Sequence, residues 1–207
     1  LEANPDDIEP ERLSAWSSLG INRLSLGIQS FSDEELHWMN RAHDAKAARR
    51  SLDLIQKAAF KNISADVLFG TPLTTDEHLS ETLKVLTDAG IPHLSCYALT
   101  VEDGTLLKKK ILAGQEASTD EEKQARQFAM ILDHLENGGY EHYEISNYAL
   151  PGFRSRHNSS YWKGIAYLGL GPAAHGYDGD RIRAANAANN NIYVQQIGAG
   201  EDPAQYE

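Results

Sequence analysis

The chain has 207 residues, of which 41% are hydrophobic and 24% charged, and these proportions are typical of one sizeable globular domain with its own core. Nineteen basic residues stand against thirty acidic ones, and the resulting net charge of −11 argues against a nucleic-acid partner, because it repels a phosphate backbone. The sequence contains no apolar run of membrane length, no signal-peptide pattern and only one cysteine, so we expect a cytoplasmic protein, with peripheral contact to a membrane left open.

The first residues, 1–5, read as the end of a strand that runs into a turn, and no initiator methionine precedes them. We therefore expect the natural chain to begin earlier. Three further segments, residues 23–29, 63–69 and 94–99, have the apolar character of buried strands. Each is followed by a helix signal, which predicts a parallel sheet whose strands are joined by right-handed crossovers.

Helix signals fill the intervals between these strands. Residues 32–35 have a capping-box sequence before a short helix, and a longer helix is predicted to start near Asp44. The apolar stripe of the longer helix consists of Ala48, Leu52, Ile55 and Ala59. Residues 74–77 open a third helix whose leucines also fall on one face.

A fourth helix is predicted to begin at Thr119, where Glu122 completes a capping box, and residues 142–146 read as a fourth strand. This alternation predicts an α/β fold that forms part of a barrel or an open doubly wound sheet, since a closed eight-stranded barrel needs about twice these strands. We assign residues 1–150 to this fold. The composition changes after Pro151, so residues 151–207 are predicted to form a separate, α+β module.

The spacing of apolar residues assigns each strand position to one face of the sheet, because side chains alternate along a strand. This parity places Asp66 on the inward face of residues 63–69, and Gln29 on the same face of residues 23–29. Burying a carboxylate costs several kcal/mol unless a partner satisfies it, so Asp66 is either bonded to the protein or part of a ligand site. Arg41 follows the short helix, where a solvated surface residue and a site residue are both reasonable interpretations.

Several segments of the chain together resemble one family. They are Glu2-Ala3-Asn4-Pro5, residues 20–31, Asn40-Arg41-Ala42-His43 and residues 66–72. In this combination the chain resembles the oxygen-independent coproporphyrinogen III oxidase family of radical S-adenosylmethionine enzymes, over most of residues 1–183. Residues 143–148 and the motif His157-Asn158-x-x-Tyr161-Trp162 are more similar to the heme chaperone branch of that family than to the oxidases.

The resemblance implies a partial, six-stranded barrel of the TIM type, with a [4Fe-4S] cluster on a three-cysteine loop after the first strand. That loop is not in this sequence, so we expect the 207-residue chain to provide no cluster ligands and to be catalytically inactive by itself. Glu2, Gln29, Arg41 and Asp66 stand at positions that match the family's contacts to S-adenosylmethionine. Their chemistry suits that role: carboxylates accept from ribose hydroxyls, and an arginine pairs with a carboxylate of the cofactor.

The resemblance further implies that His157, Asn158, Tyr161 and Trp162 contact heme, since imidazole is an axial ligand and aromatic rings offer flat apolar faces to a porphyrin. Without the resemblance, the simpler interpretation is that His157 and Asn158 hold a turn while Trp162 packs in the core. His175 is a second candidate ligand, although its small neighbours predict a tight buried turn.

Two functions therefore compete. The first is a heme chaperone that binds heme and delivers it to a respiratory heme protein, and the His157 motif favours it. The second is a decarboxylating oxidase that acts on coproporphyrinogen III in porphyrin biosynthesis. An unrelated barrel hydrolase or aldolase is disfavoured, because no nucleophile motif or strand lysine of that kind is recognisable. The sequence leaves open whether the protein forms a homo-oligomer.

Overall fold

The structure is a computed structural model that describes residues 1–58 and 60–206. Ala59, the last position of the predicted helix stripe, lies outside the described residues, as does Glu207. The chain divides into two compact units, Leu1–Arg154 and Ser155–Glu207. In the part of the chain that the structure describes, no helix is both long enough and apolar enough to cross a membrane.

The first unit alternates strands and helices around a six-stranded sheet. Its strands are β1 (Glu2–Ala3), β2 (Arg23–Gln29), β3 (Asn62–Phe69), β4 (His93–Ala98), β5 (Glu141–His142) and β6 (Asn147–Ala149). Its helices are α1 (Pro10–Ser18), α2 (Asp33–Trp38), α3 (Ala45–Lys57), α4 (Asp76–Asp88), α5 (Leu106–Leu112) and α6 (Glu121–Asn137). The strand order is β1-β2-β3-β4-β6-β5, with β1 to β4 parallel, so the predicted parallel sheet is confirmed.

Side-chain caps set the starts of the helices. Asp44 accepts from the backbone N–H of Ala47 at 2.7 Å and begins α3 as predicted. The predicted start of α6 at Thr119 is wrong by one residue, because Asp120 is the cap and accepts from the N–H of Lys123. The spacing of the Thr119 capping box favoured the earlier residue, but a carboxylate is an equally good acceptor one position later.

The capping box predicted at residues 32–35 is only half formed. Ser32 accepts from the backbone N–H of Glu35 at 3.5 Å. The carboxylate of Glu35 is buried and turns away from the cap: His78 Nδ1 lies 2.8 Å from one oxygen, and the Thr74 hydroxyl donates to the other. Glu35 therefore ties α2 to α4, because a buried carboxylate needs partners that the exposed cap does not supply.

The prediction of a strand at residues 142–146 is also wrong. Residues 143–146 form the turn of an antiparallel hairpin between β5 and β6, and β6 pairs antiparallel with β4. The backbone N–H of Cys96 donates to the carbonyl of Ser146 at 2.8 Å, which attaches the turn to β4. β6 is buried on both faces and only three residues long, so it shows no alternation for sequence reasoning to detect.

One hydrophobic core lies between the sheet and helices α3, α4 and α6. In β2, Leu24, Leu26 and Ile28 are fully buried while the residues between them are half-buried. Each such side chain contributes roughly 1.5–3 kcal/mol on burial. The core uses one face of the parallel strands, which leaves the opposite, inward face free for polar side chains.

The second unit is a small α+β arrangement. It contains α7 (Arg156–Trp162), α8 (Asn190–Ala199) and an antiparallel sheet of β7 (His175–Tyr177), β8 (Arg183–Asn186) and β9 (Ala204–Tyr206). Among the described residues of this unit no hydrophobic side chain is buried, and Leu168 and Leu170 are about four-fifths exposed.

Candidate cofactor and heme sites

The inward face of the parallel strands carries a polar cluster around Asp66. Glu2 of β1 lies opposite Ser25 of β2, and Asp66 of β3 lies opposite Ser95 of β4. The Ser25 hydroxyl donates to Asp66 Oδ1 at 3.5 Å. Asp66 is half-buried between the buried residues Ala65 and Val67, as the parity of the strand predicts.

Burial raises the pKa of Asp66 to about 6, and the negative charge of Glu2 acts in the same direction. Hydrogen bonds from Ser95 and Ser25 and the charge of Arg23 oppose this rise. Asp66 therefore changes protonation state close to neutral pH. A carboxyl group in this condition can accept from, or donate to, a ligand hydroxyl.

Gln29 and Arg41 form a second cluster at the carboxyl end of β2. The register of β2 against β3 shifts between Leu26 and Gln29, and Gln29 takes the left-handed conformation with φ 67°. The Gln29 side chain nevertheless lies on the face of Gly27, since its Nε2 is 3.3 Å from the position of a Cβ on that residue. Arg41 Nη2 donates to Asn4 Oδ1 at 2.6 Å and to the carbonyl of Gly27 at 3.2 Å.

The four residues predicted for the cofactor share one face of the sheet as two pairs. Glu2 and Asp66 lie on either side of Ser25, whereas Gln29 and Arg41 meet over Gly27, two positions further along β2. Sequence reasoning did not identify Asn4 as part of this arrangement, although it stands in the same short motif as Glu2.

A cavity of about 830 Å³ lies beside the Gln29 and Arg41 pair. Its walls come from the end of α2, from α5 and from the strand ends, and include Trp38, Leu68 and Leu107. The volume is in the range of small-molecule pockets. Trp38 Nε1 donates to Glu116 Oε2 at 3.2 Å, which links α2 to the segment after α5.

The His157 motif lies on α7, in the second unit. Ser155 caps this helix by accepting from the backbone N–H of Asn158 at 3.3 Å. His157 and Tyr161 are one turn apart, with the Tyr161 hydroxyl 2.8 Å from His157 Nε2 and the two rings in an edge-to-face contact. Trp162 is 61% exposed, so the interpretation that placed it in the core is wrong.

Aromatic contacts continue beyond α7. The ring of Tyr161 packs edge to face against Tyr167, with centroids 4.7 Å apart, and Tyr167 contacts Tyr177. Arg183 lies over the Tyr177 ring and donates to the Tyr167 hydroxyl. Sequence reasoning missed these three residues, because only folding brings them next to the motif.

The environment of His175 also differs from the prediction. His175 is exposed on β7 rather than held in a tight buried turn. The neighbouring Gly176 is the buried position, and its small size allows close packing against the backbone around Gly169. His175 is therefore accessible as a second candidate ligand.

The sequence model of the Radical SAM superfamily matches residues 1–86 of this chain. Curated relatives extend the match over nearly all of it. The heme chaperone HemW of Bacillus subtilis (strain 168) is 35% identical over 197 residues, which are 95% of this chain and 52% of that protein. The heme chaperone HemW of Escherichia coli (strain K12) is 36% identical over 204 residues, 94% of this chain and 52% of that protein.

Residues 1–86 of this chain form part of a radical SAM domain. The resemblance to the heme chaperone branch is confirmed by these relatives. The chain spans about half the length of the curated relatives that it matches.

A solved structure shows the same fold. Coproporphyrinogen III oxidase (HemN) of Escherichia coli, described as a radical SAM enzyme, aligns with 99% of this chain and 50% of its own chain at a TM-score of 0.78 and 22% identity. The α/β sheet is therefore part of a radical SAM barrel, as predicted.

Proposed function

We propose that this radical SAM protein is a heme chaperone, which holds heme on its second unit and passes it to a respiratory heme protein. The observation that carries the proposal is the exposed pair of His157 and Tyr161 on α7, which is followed by the exposed Trp162 at the end of the helix. The names of the curated relatives support the same assignment.

Heme fits this face chemically. An imidazole nitrogen of His157 would ligate the iron, and the rings of Tyr161 and Trp162 would cover the apolar porphyrin. The Tyr161 hydroxyl now occupies His157 Nε2, so ligation would use Nδ1 or displace that hydrogen bond. Arg183, next to Tyr167 and Tyr177, would pair with a heme carboxylate.

S-adenosylmethionine fits the inward face of the sheet, and we propose that Glu2, Gln29, Arg41 and Asp66 hold it there. The Nε–H group of Arg41 is buried and has no hydrogen-bond partner. A ligand that brings an acceptor to this group would satisfy it. Glu2 and Asp66 supply carboxylate acceptors for ribose hydroxyls. When bound and reduced, this cofactor would supply a carbon-centred radical, and these four residues would bind and orient it.

The cluster itself does not fit the residues of this chain. Its only cysteine, Cys96, is buried among apolar side chains, and burial raises the pKa of its thiol, which opposes the thiolate that iron requires. Among residues 1–58 and 60–206, no group of three or more histidine, cysteine or acidic side chains is arranged to hold a metal ion.

The test is a heme titration of five proteins: the parent, His157→Ala, Tyr161→Phe, His175→Ala and Asp66→Ala. We expect His157→Ala to lower heme affinity by about tenfold or more and to change the absorption spectrum, because apolar contacts cannot replace an axial ligand. Tyr161→Phe keeps the aromatic ring but removes the hydroxyl that occupies His157, so it should bind heme at least as tightly. Asp66→Ala should match the parent.

Equal heme affinity and equal spectra for the parent and His157→Ala would contradict His157 as the iron ligand. A loss of heme affinity in His175→Ala in that case would identify His175, on β7, as the ligand. A loss in Asp66→Ala alone would instead put the porphyrin over the strand ends, where an oxidase would hold its substrate.

A further inference from the structure

Arg41 is held in place by two acceptors that come from different parts of the chain. Its Nη2 donates to Asn4 Oδ1 at 2.6 Å, across 37 residues of sequence, and to the carbonyl of Gly27 at 3.2 Å. The bond to Asn4 is short and has a charged donor, which makes it stronger than a neutral hydrogen bond. Arg41 follows Asn40, whose φ of 55° is left-handed, so the backbone also directs the side chain toward β2.

The Arg41 guanidinium lies close to Gly27 of β2, which has no side chain. A Cβ at Gly27 would lie 2.9 Å from Arg41 Nη2, 3.3 Å from Gln29 Nε2 and 3.4 Å from Asn4 Oδ1. Its φ is not left-handed, so the need for glycine here comes from crowding and not from backbone conformation. Three polar side chains thus converge on the face of β2 at Gly27, where a Cβ would displace the end of the Arg41 side chain.

Asn4 also takes part in the turn that follows β1, where it forms a capping box with Asp7. The first turn after β1 is closed by the main chain, since the N–H of Asp7 donates to the carbonyl of Asn4 at 2.9 Å. Asn4 is also exposed, so its side chain contributes little to the core. Its amide oxygen accepts from Arg41 at 2.6 Å, so Asn4 connects this turn to the Arg41 guanidinium.

We propose that Asn4 is a positioning residue, which fixes the guanidinium of Arg41 over Gly27 so that Arg41 is ready for an anionic group of the ligand. The inference rests on the proposed role of Arg41 in binding S-adenosylmethionine. Preorganisation of this kind raises affinity, because the cost of ordering a long side chain is met before the ligand arrives.

The experiment compares the parent with Asn4→Ala, Asn4→Asp, Arg41→Ala and Asp103→Ala, the last being a control at an exposed position. The first measurement is the rotation of the Arg41 guanidinium, followed by nitrogen NMR. We expect slow rotation in the parent and in Asn4→Asp, which keeps an oxygen acceptor, and rotation at least about fivefold faster in Asn4→Ala.

The second measurement is the affinity of the same proteins for S-adenosylmethionine by calorimetry. We expect a loss of about fivefold to tenfold in Asn4→Ala and recovery in Asn4→Asp. Unchanged guanidinium rotation in Asn4→Ala would overturn the proposal whatever the ligand does. A loss in Arg41→Ala with no loss in Asn4→Ala would overturn it too. Faster rotation in Asn4→Ala, together with parent-like affinity in Arg41→Ala, would uphold the Asn4 contact and refute the cofactor role of Arg41.

Discussion

Asp66 shows how a single residue of a proposed ligand site can lower the stability of the fold. Burial raises its pKa from the ordinary value of 3.8 to about 6, so the folded protein keeps the proton at a pH where the unfolded chain has lost it. Stability therefore falls as pH rises from about 4 to about 6, and the full penalty is present above that range. A shift of this size corresponds to on the order of 3 kcal/mol.

We expect Asp66→Asn to raise the free energy of unfolding at pH 7 by up to about this amount, because the amide cannot ionise. The gain should shrink toward pH 4. Urea unfolding of the parent and Asp66→Asn across this pH range measures it, with Asp53→Asn, at an exposed position of α3, as the control. A gain that does not vary with pH would show that burial does not hold the proton on Asp66.

At the scale of elements, the connection after β3 depends on packing against α6. Gly70 has φ +72°, its N–H donates to Gln127 Oε1, and a Cβ there would lie 2.4 Å from Gln124 Cγ. We expect Gly70→Ala to lower the free energy of unfolding by roughly 2–4 kcal/mol, from a left-handed alanine and a steric clash together.

Gly20→Ala is the matched control for that change. Gly20 has φ +83°, but a Cβ there would have no neighbour within 4 Å, so only the conformational cost of about 1 kcal/mol applies. Urea unfolding of both variants separates the two contributions. Equal losses of unfolding free energy in the two variants would mean that the Gln124 side chain moves aside without a cost in stability.

The elements also show what sequence reasoning can reach. Helices α3 and α4 could be predicted because their apolar stripes face one core. Strand β2 could be predicted because burial alternates along it, and β3 because burial alternates from Ala65 to Phe69. Helix α5 has only seven residues and none of them is buried, so it has no apolar stripe that faces the core. The bond between Asn4 and Arg41 joins positions 37 residues apart and is a product of the sheet, which sequence spacing does not reveal.

At the scale of the whole molecule, the two units differ in how much apolar surface they bury. The buried core extends from Ile8 to Tyr148 and lies entirely in the first unit, among the residues that the structure describes. Side chains of the second unit such as Leu168, Leu170 and Val194 remain exposed.

We therefore expect residues 1–154 alone to unfold cooperatively, with a free energy close to that of the same unit in the full chain. Circular dichroism and fluorescence during urea unfolding of both proteins test this. Removing residues 155–207 should also abolish the heme binding proposed for α7. A noncooperative transition in the shorter protein would show that the first unit needs the second for stability.

The hairpin of β5 and β6 has a consequence for how the first unit could be redesigned. In β1 to β4 each strand end is followed by a connection that leads into a helix, so changing its length displaces a packed element. The turn at residues 143–146 instead joins two antiparallel neighbours. It lies near Tyr97 on β4, whose pKa is raised mainly by burial and in small part by the charge of Glu144 on the turn. Loops from other proteins could be grafted at this turn to place new side chains beside the strand ends, while the registers of β4, β5 and β6 are kept.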